Sequence, residues 1–288
     1  MNNNADGICY KQDYYDIYSK IYLEIWGNYD NLSLHLGYYE NEEVQSHDQS
    51  IIKMNRYIAN LVQIKESDLI LDAGCGIGGS SIWFAENYRA RIIGISLSEK
   101  EVNAAKKFAK EKFIEKIEFK VMDYHKTNFP SSTFDAVLAI ESACYSIKKG
   151  KFLDECFRLL KAGGKIVIAD YFHTDKPMTT QERKAIESVN ADFSIQLCSM
   201  IQFKEHLKNF EDVKIFDVTS NVSKFYVDEL EQIEKSYLNT KSKESKRYMK
   251  KEFGKVAHEF ECLQQGLIKY GVIFARKKVG YDRLIRLI

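Results

Sequence analysis

Proline is nearly missing: Pro130 and Pro177 are the only two in 288 residues. With no low-complexity tract and no internal repeat either, an independent second domain is not expected. The six cysteines (Cys9, Cys75, Cys144, Cys156, Cys198 and Cys262) include no CxxC pair. That excludes a zinc spacing and a secreted disulfide framework and points to reduced thiols in a cytoplasm. Nowhere do eighteen apolar residues follow one another, and the opening Met-Asn-Asn-Asn-Ala-Asp has no apolar export segment, so neither a membrane span nor secretion is expected. Net charge is almost absent as well, since 42 Lys and Arg against 41 Asp and Glu leave +1. No whole-molecule field draws such a chain to nucleic acid or an anionic membrane. The expected partner is a small molecule, with a homo-oligomer left open.

What is present belongs to a folded protein: hydrophobic residues are 45% and charged residues 29% of the chain. From about Asp68 onward, short apolar runs alternate with segments of helical periodicity. The runs predict strands near 69–72, 91–96, 117–122, 136–140, 165–170, 213–218 and 270–275, and crossover helices over 80–88, 99–112 and 150–161. The expected fold class is α/β, a Rossmann-like sheet of seven mostly parallel strands with helices on both faces and a helical lid. Residues 1–60 are expected to form an N-terminal helical lid and 61–276 a core with lid insertions near 173–200 and 222–262, followed by a tail over 277–288. The basic tract Lys241 to Lys251 is expected to be a solvated helix face.

The most informative stretch is Leu69-Ile-Leu-Asp72-Ala-Gly74-Cys75-Gly76-Ile77-Gly78-Gly79-Ser80, an apolar strand running through glycines into a helix. Glycine is needed where the backbone turns sharply or must approach a ligand without a Cβ in the way. Gly74, Gly76 and Gly79 also satisfy GxGxxG, so a nicotinamide dinucleotide must be weighed. A dinucleotide site usually carries an acid at the end of the second strand, yet that end here is Gly94-Ile95-Ser96-Leu97-Ser98. Asp72, just before the first glycine, stands instead where S-adenosylmethionine presents its methionine ammonium or where the loop backbone needs an acceptor. The expected cofactor is S-adenosylmethionine, with S-adenosylhomocysteine as product.

The glycine loop, with Gly-Ile-Ser-Leu-Ser-Glu-Lys-Glu at the second strand, resembles the class I methyltransferases. The similarity is to the branch of tocopherol, sterol and geranyl diphosphate C-methyltransferases and the related natural-product O- and N-methyltransferases. Tyr14-Tyr15-Asp16, Glu24-Ile25-Trp26-Gly27, His35-Leu36-Gly37-Tyr38-Tyr39 and Ala139-Ile140-Glu141-Ser142-Ala143-Cys144-Tyr145 carry it along most of the chain. The resemblance implies that Ser96 replaces the ribose acid and that Glu101, at the family's glutamine position, accepts from ribose hydroxyls. It implies that Asp123, at the end of the third strand, meets the adenine amino group, and that Tyr15 closes over the sulfonium. The cofactor-binding candidates are therefore Tyr15, Asp72, Gly74, Cys75, Gly76, Gly78, Ser96, Leu97, Glu101, Asp123, Tyr124, Ile140 and Glu141. Trp26, His35 and Tyr38 read as packing residues of the lid.

Glu141 interrupts an apolar run at the carboxyl end of the fourth strand, the edge where open α/β sheets bind ligands. An acid there can take a proton from an acceptor, orient it or stabilise developing positive charge. Where the tocopherol-type and sterol-type relatives carry a histidine nearby, this chain has Cys144 and Tyr145, so their histidine base does not carry over. The catalytic candidates are Glu141, Tyr15, Tyr145 and His173. No metal is expected, since His125, His173 and His206 form no ligand spacing. The reaction expected is methyl transfer to a small acceptor of specialised metabolism, with carbon of a prenyl or terpenoid chain favoured. O- or N-methylation of a sugar, alkaloid or polyketide, a non-catalytic S-adenosylmethionine binder and a nicotinamide oxidoreductase are the alternatives.

Overall fold

The computed structural model describes residues 32–40 and 46–279. Its sheet has seven strands: β1 (Leu69–Ala73), β2 (Arg91–Ser96), β3 (Ile117–Val121), β4 (Phe134–Ile140), β5 (Leu160–His173), β6 (Phe210–Asp217) and β7 (Ile268–Lys277). Their spatial order is β3-β2-β1-β4-β5-β7-β6. Strands β1 to β5 pair in parallel, and β7 runs antiparallel to both β5 and β6. The seven mostly parallel strands expected from the apolar runs are all present.

Both faces of the sheet are covered, which is why its strands read as continuous apolar runs. Ile70, Leu138 and Val167 face one core, which includes Ile58 and Phe84. Their neighbours Leu71, Val137 and Ile168 face the other, with Phe152 and Phe203. The helices supplying these layers are α1 (His47–Val62), α2 (Gly79–Tyr88), α3 (Glu99–Glu111) and α4 (Lys149–Leu159). After β5 come α5 (Thr180–Phe193) and α6 (Met200–Glu205), and between β6 and β7 the paired α7 (Thr219–Asn239) and α8 (Lys243–Gln264). Their starts are written in the sequence: Ser46 with Gln49 caps α1 and Thr179 with Glu182 caps α5, both as capping boxes.

The largest departure from the expected boundaries is at the start of β5. Helix α4 stops at Leu159, and β5 already begins at Leu160, with a register shift against β4 between Phe134 and Ala136. Gly163, at φ +75°, and Gly164 give the irregular stretch the turn it needs before Lys165 regains the ladder. The basic tract lies on the loop before α8 and its first turns, where Lys241, Lys243, Arg247, Lys250 and Lys251 are exposed. Among the described residues no helix is long and apolar enough to cross a membrane.

The strand order reverses between β1 and β4, where chain connections leave in opposite directions and the carboxyl edge opens into a crevice. Both the glycine turn after β1 and Glu141 after β4 lie at that crevice.

Candidate active site

Three glycines shape the turn after β1 for different reasons. Gly74 has φ +111° and, with Cys75, donates its amide to the Ile95 carbonyl at 3.0 Å. A Cβ on it would collide with the Ser142 side chain, whose hydroxyl donates to the Ala73 carbonyl at 2.6 Å. Gly76 has φ +51°, and a Cβ there would meet nothing within 4 Å, because it would project into open space. Gly78 has φ +87° and backs onto Phe119 and Ala105. Its glycine therefore serves packing beneath α3, and it stands outside the cavity wall. At Gly79 the chain's own Leu32 and Ser33 backbone lies so close that any Cβ would strike it.

The cavity these glycines border has about 1540 Å³ of empty space, part of it open to solvent. Of the residues singled out from sequence, Asp72, Gly74, Cys75, Gly76, Ser96, Leu97, Glu101, Tyr124, Ile140, Glu141 and Tyr145 line it. Asp72 is buried, accepts from the Ser81 hydroxyl at 2.5 Å and is pushed up to about 6 by burial. The Ser96 hydroxyl donates to a Glu101 carboxylate oxygen at 2.6 Å, and the Glu101 amide donates to the Ser98 hydroxyl at 3.2 Å that caps α3. Serine and glutamate thus act as one unit, with the carboxylate held against the wall.

Asp123 and His173 are placed elsewhere. Asp123 accepts from the His125 amide at 2.8 Å and pairs with the His125 ring at 2.9 Å, and the far ring nitrogen pairs with Ser146 at 2.7 Å. Ser146 is completely buried, so this Asp-His-Ser row braces the turn after β3 and presents no nucleophile. His173 ends β5 with its Nδ1 on the Thr174 carbonyl at 2.8 Å, outside the cavity wall. Tyr15 and Trp26 lie outside the described residues. Tyr38 stacks on Tyr57 at 5.0 Å, while His35 lines the cavity and pairs with Asn55 at 3.0 Å. Burial lowers the His35 imidazole below its ordinary value.

Glu141 is the centre of the opposite wall. Its backbone sits at φ +47°, a conformation costly for a residue with a Cβ and often found where a side chain is aimed at a site. One carboxylate oxygen accepts from the Leu36 amide at 2.7 Å and the Tyr270 hydroxyl at 2.8 Å. The other accepts from the Tyr171 hydroxyl at 3.3 Å. The two tyrosines are cross-strand neighbours in the β5–β7 register. Removal from water outweighs these donors and pushes Glu141 up to about 8.

Several wall residues were not anticipated from sequence. Residues 32–36 strap the glycine loop to Glu141, with the Ser80 hydroxyl on Ser33 at 3.1 Å. Helices α7 and α8 add Phe225, Glu229, Val256 and Glu259. Their spacings, 225/229 and 256/259, put each pair on one helix face, the only local signal that could have singled them out.

A family model described as "Methyltransferase domain" matches residues 71–168, the stretch holding the glycine turn, Glu101 and Glu141. The sterol 24-C-methyltransferase of Kluyveromyces lactis is 32% identical over 164 residues, covering 57% of this chain and 43% of that one. The norajmaline N-methyltransferase of Rauvolfia serpentina is 33% identical over 171 residues, covering 56% of this chain and 59% of that one. The chain thus spans less than two thirds of these relatives' length. Among solved structures, that of the [4+2]-cyclase SpnF superimposes with a TM-score of 0.79 at 21% identity, covering 93% of this chain and 96% of that one. Residues 71–168 therefore match a methyltransferase domain, and the described chain shares its fold with that solved structure.

Proposed function

We propose that the protein transfers a methyl group from S-adenosylmethionine to a small organic acceptor. The observation that carries this reading is the cavity at the reversal of strand order, where the glycine turn and Glu101 form one wall and Glu141 the other. The wall suits the donor molecule. The space above Gly76 admits a ligand against bare backbone, the Ser96–Glu101 pair offers a carboxylate to ribose hydroxyls, and Asp72 offers one to an ammonium. A fold shared with a protein described as a cyclase does not by itself choose a reaction, and these residues are what favour methyl transfer.

Bound S-adenosylmethionine supplies an activated methyl on a sulfonium, so the protein's task is to align the acceptor, exclude water and manage a proton. The strap over residues 32–36, Phe225 and Val256 close the cavity with apolar surface. Glu141 receives the acceptor's proton: its affinity for protons lies close to neutral, where a general base is most effective, and Tyr171 and Tyr270 keep it in place. Tyr145 and Tyr171 line the same space, and an aromatic lining favours a centre gaining positive charge.

For the acceptor, carbon of a prenyl chain carrying a diphosphate is disfavoured by charge. The described lining residues include Asp72, Glu101, Glu141, Glu229 and Glu259 but neither Lys nor Arg, so a phosphate entering this cavity would lose water without gaining a cationic partner. An uncharged or cationic acceptor fits better. The test is thermal unfolding with S-adenosylhomocysteine and with NAD, followed by single-turnover transfer of a labelled methyl to pooled small-molecule extracts. S-adenosylhomocysteine is expected to raise the melting temperature and NAD to leave it unchanged. Stabilisation by NAD alone would overturn the reading.

A further inference from the structure

Beyond Glu141, the cavity holds two acids that methyl transfer in general does not require. Glu229 on α7 and Glu259 on α8 face the same space as Glu141. Glu259 is 5% exposed. Its one favourable neighbour is the Tyr226 hydroxyl, itself buried and without a hydrogen-bond partner. Glu229 has neither a hydrogen bond nor an ion pair among the described residues, and burial together with Glu252 and Glu141 pushes it up to about 8. The neighbouring cation, Lys255, points its charge to Glu252 at 3.2 Å and over the Phe193 ring at 5.7 Å.

Burial raises all three carboxyls; the Glu141 charge raises Glu229 and Glu259 further, and Glu229 adds to the effect on Glu259, an arrangement that costs stability in the empty protein once they ionise. Such an arrangement becomes favourable when a cation enters, because each anion then gains a partner out of water. The rest of the wall agrees. Phe193, Phe225, Tyr145 and Tyr171 line the same space, and aromatic rings suit organic cations and their hydrocarbon parts.

We propose that Glu229 and Glu259 form, with Glu141, a cation-recognition site that selects a small aliphatic or aralkyl amine as the methyl acceptor. This deepens the methyl-transfer reading and rests on it. The amine enters as its ammonium and gives one proton to a carboxylate of the site. The freed nitrogen lone pair forms the N–C bond to the donor methyl as the C–S bond breaks, and that bond's electron pair stays on sulfur. The methylated product is again a cation and leaves as its ammonium, while the carboxyl that took the first proton returns it to solvent, so that one proton is released for each methyl transferred. Glu229 and Glu259 are specificity-determining residues in this scheme, while Glu141 manages the proton.

The experiment is isothermal titration of the full chain saturated with S-adenosylhomocysteine. The probes are three matched pairs (tryptamine and tryptophol, phenethylamine and phenethyl alcohol, geranylamine and geraniol) together with geranyl diphosphate. At least one amine is expected to bind ten-fold or more tighter than its alcohol, with geranyl diphosphate weaker than both. Replacing Glu229→Gln and Glu259→Gln together is expected to bring that pair within three-fold of each other while S-adenosylhomocysteine affinity stays within three-fold of the parent. Should the double variant fail that folding check, Glu229→Gln alone decides, with the preference expected to fall at least three-fold. An alcohol or the diphosphate binding best, no amine binding, or a preference that survives the Gln variants overturns the proposal. An amine preference without any binding of S-adenosylhomocysteine overturns the methyl-transfer reading itself and so the N-methylation step.

Discussion

Glu141 is the proposed proton acceptor, and its test must separate a proton-handling role from a structural one. Glu141→Gln keeps the shape and can still accept from Leu36 and Tyr270, so cofactor affinity is expected to change less than three-fold. Turnover is expected to fall about a hundred-fold, the lower range for loss of a general base. Single-turnover methyl transfer beside calorimetry of S-adenosylhomocysteine reads both, and undiminished turnover defeats the assignment. Gly76 is the complementary case. Gly76→Ala puts a methyl into open cavity space at a φ of +51°, costing about 1 kcal/mol of stability. Its larger expected effect is at least a ten-fold loss of S-adenosylhomocysteine affinity, measured by titration against the small shift in unfolding. Both residues were legible in the sequence: the glycine from its place after an apolar strand, the acid from its interruption of one. Gly78 looked equivalent to Gly76 there, because a run of glycines does not say which one faces a ligand and which a phenylalanine.

Among the elements, the strap over residues 32–40 joins parts of the chain far apart in sequence. It touches Gly79 on α2, gives the Leu36 amide to Glu141, and ties Tyr39 to Asp228 of α7 at 2.7 Å. Gly79→Ala sharpens the point, since alanine at a helix's first position is favourable by helix propensity, yet here its Cβ strikes the Leu32 and Ser33 backbone. The strap is expected to yield before α2 does. Hydrogen exchange should show the Leu36 amide losing at least ten-fold in protection while amides within β1 and β4 keep theirs, and unchanged Leu36 protection would sink this account. Helices α7 and α8 carry helical periodicity in the sequence, but the sequence did not reveal that Glu229 and Glu259 converge. Convergence depends on how two helices lie over a sheet edge, and nothing local encodes that angle. The pairing of Tyr171 with Tyr270 over Glu141 is of the same kind, set by the register of strands about a hundred residues apart.

For the whole molecule, the acids of the cavity set a pH dependence with an unusual sign. Glu141 and Glu229 are held near 8 in the folded state against an ordinary 4.5, and Asp72 near 6 against 3.8. The folded protein therefore binds these protons more tightly than the unfolded chain. Their contribution to stability is complete below about pH 4 and is lost as pH rises toward 8. Asp123, Glu155 and Asp217, all lowered, work the other way and lose stability only on acidification below their ordinary values. Burial lowers His35 and His47, whose neutral forms also lose stability on acidification below 6.5 and so offset the glutamates there. The melting temperature is therefore expected to decline mainly between about pH 6.5 and pH 8, a span worth roughly a few kcal/mol. In Glu229→Gln the decline should be shallower. Unfolding followed at several pH values in both proteins checks this, and equal slopes would remove Glu229 from the explanation.

The order of strands and helices, the glycine turn, the acid after the fourth strand and the expectation of a nucleoside-sized ligand were settled by the sequence alone. Each is a local matter, governed by hydrophobic period, by the φ values that glycine tolerates and by the chemistry of one side chain. Which loops share a crevice, which acids line it together and which cations are kept out of its described wall were decided only by the tertiary structure. Those properties arise from groups distant along the chain being removed from water together, and their energies do not exist until the chain has closed around them.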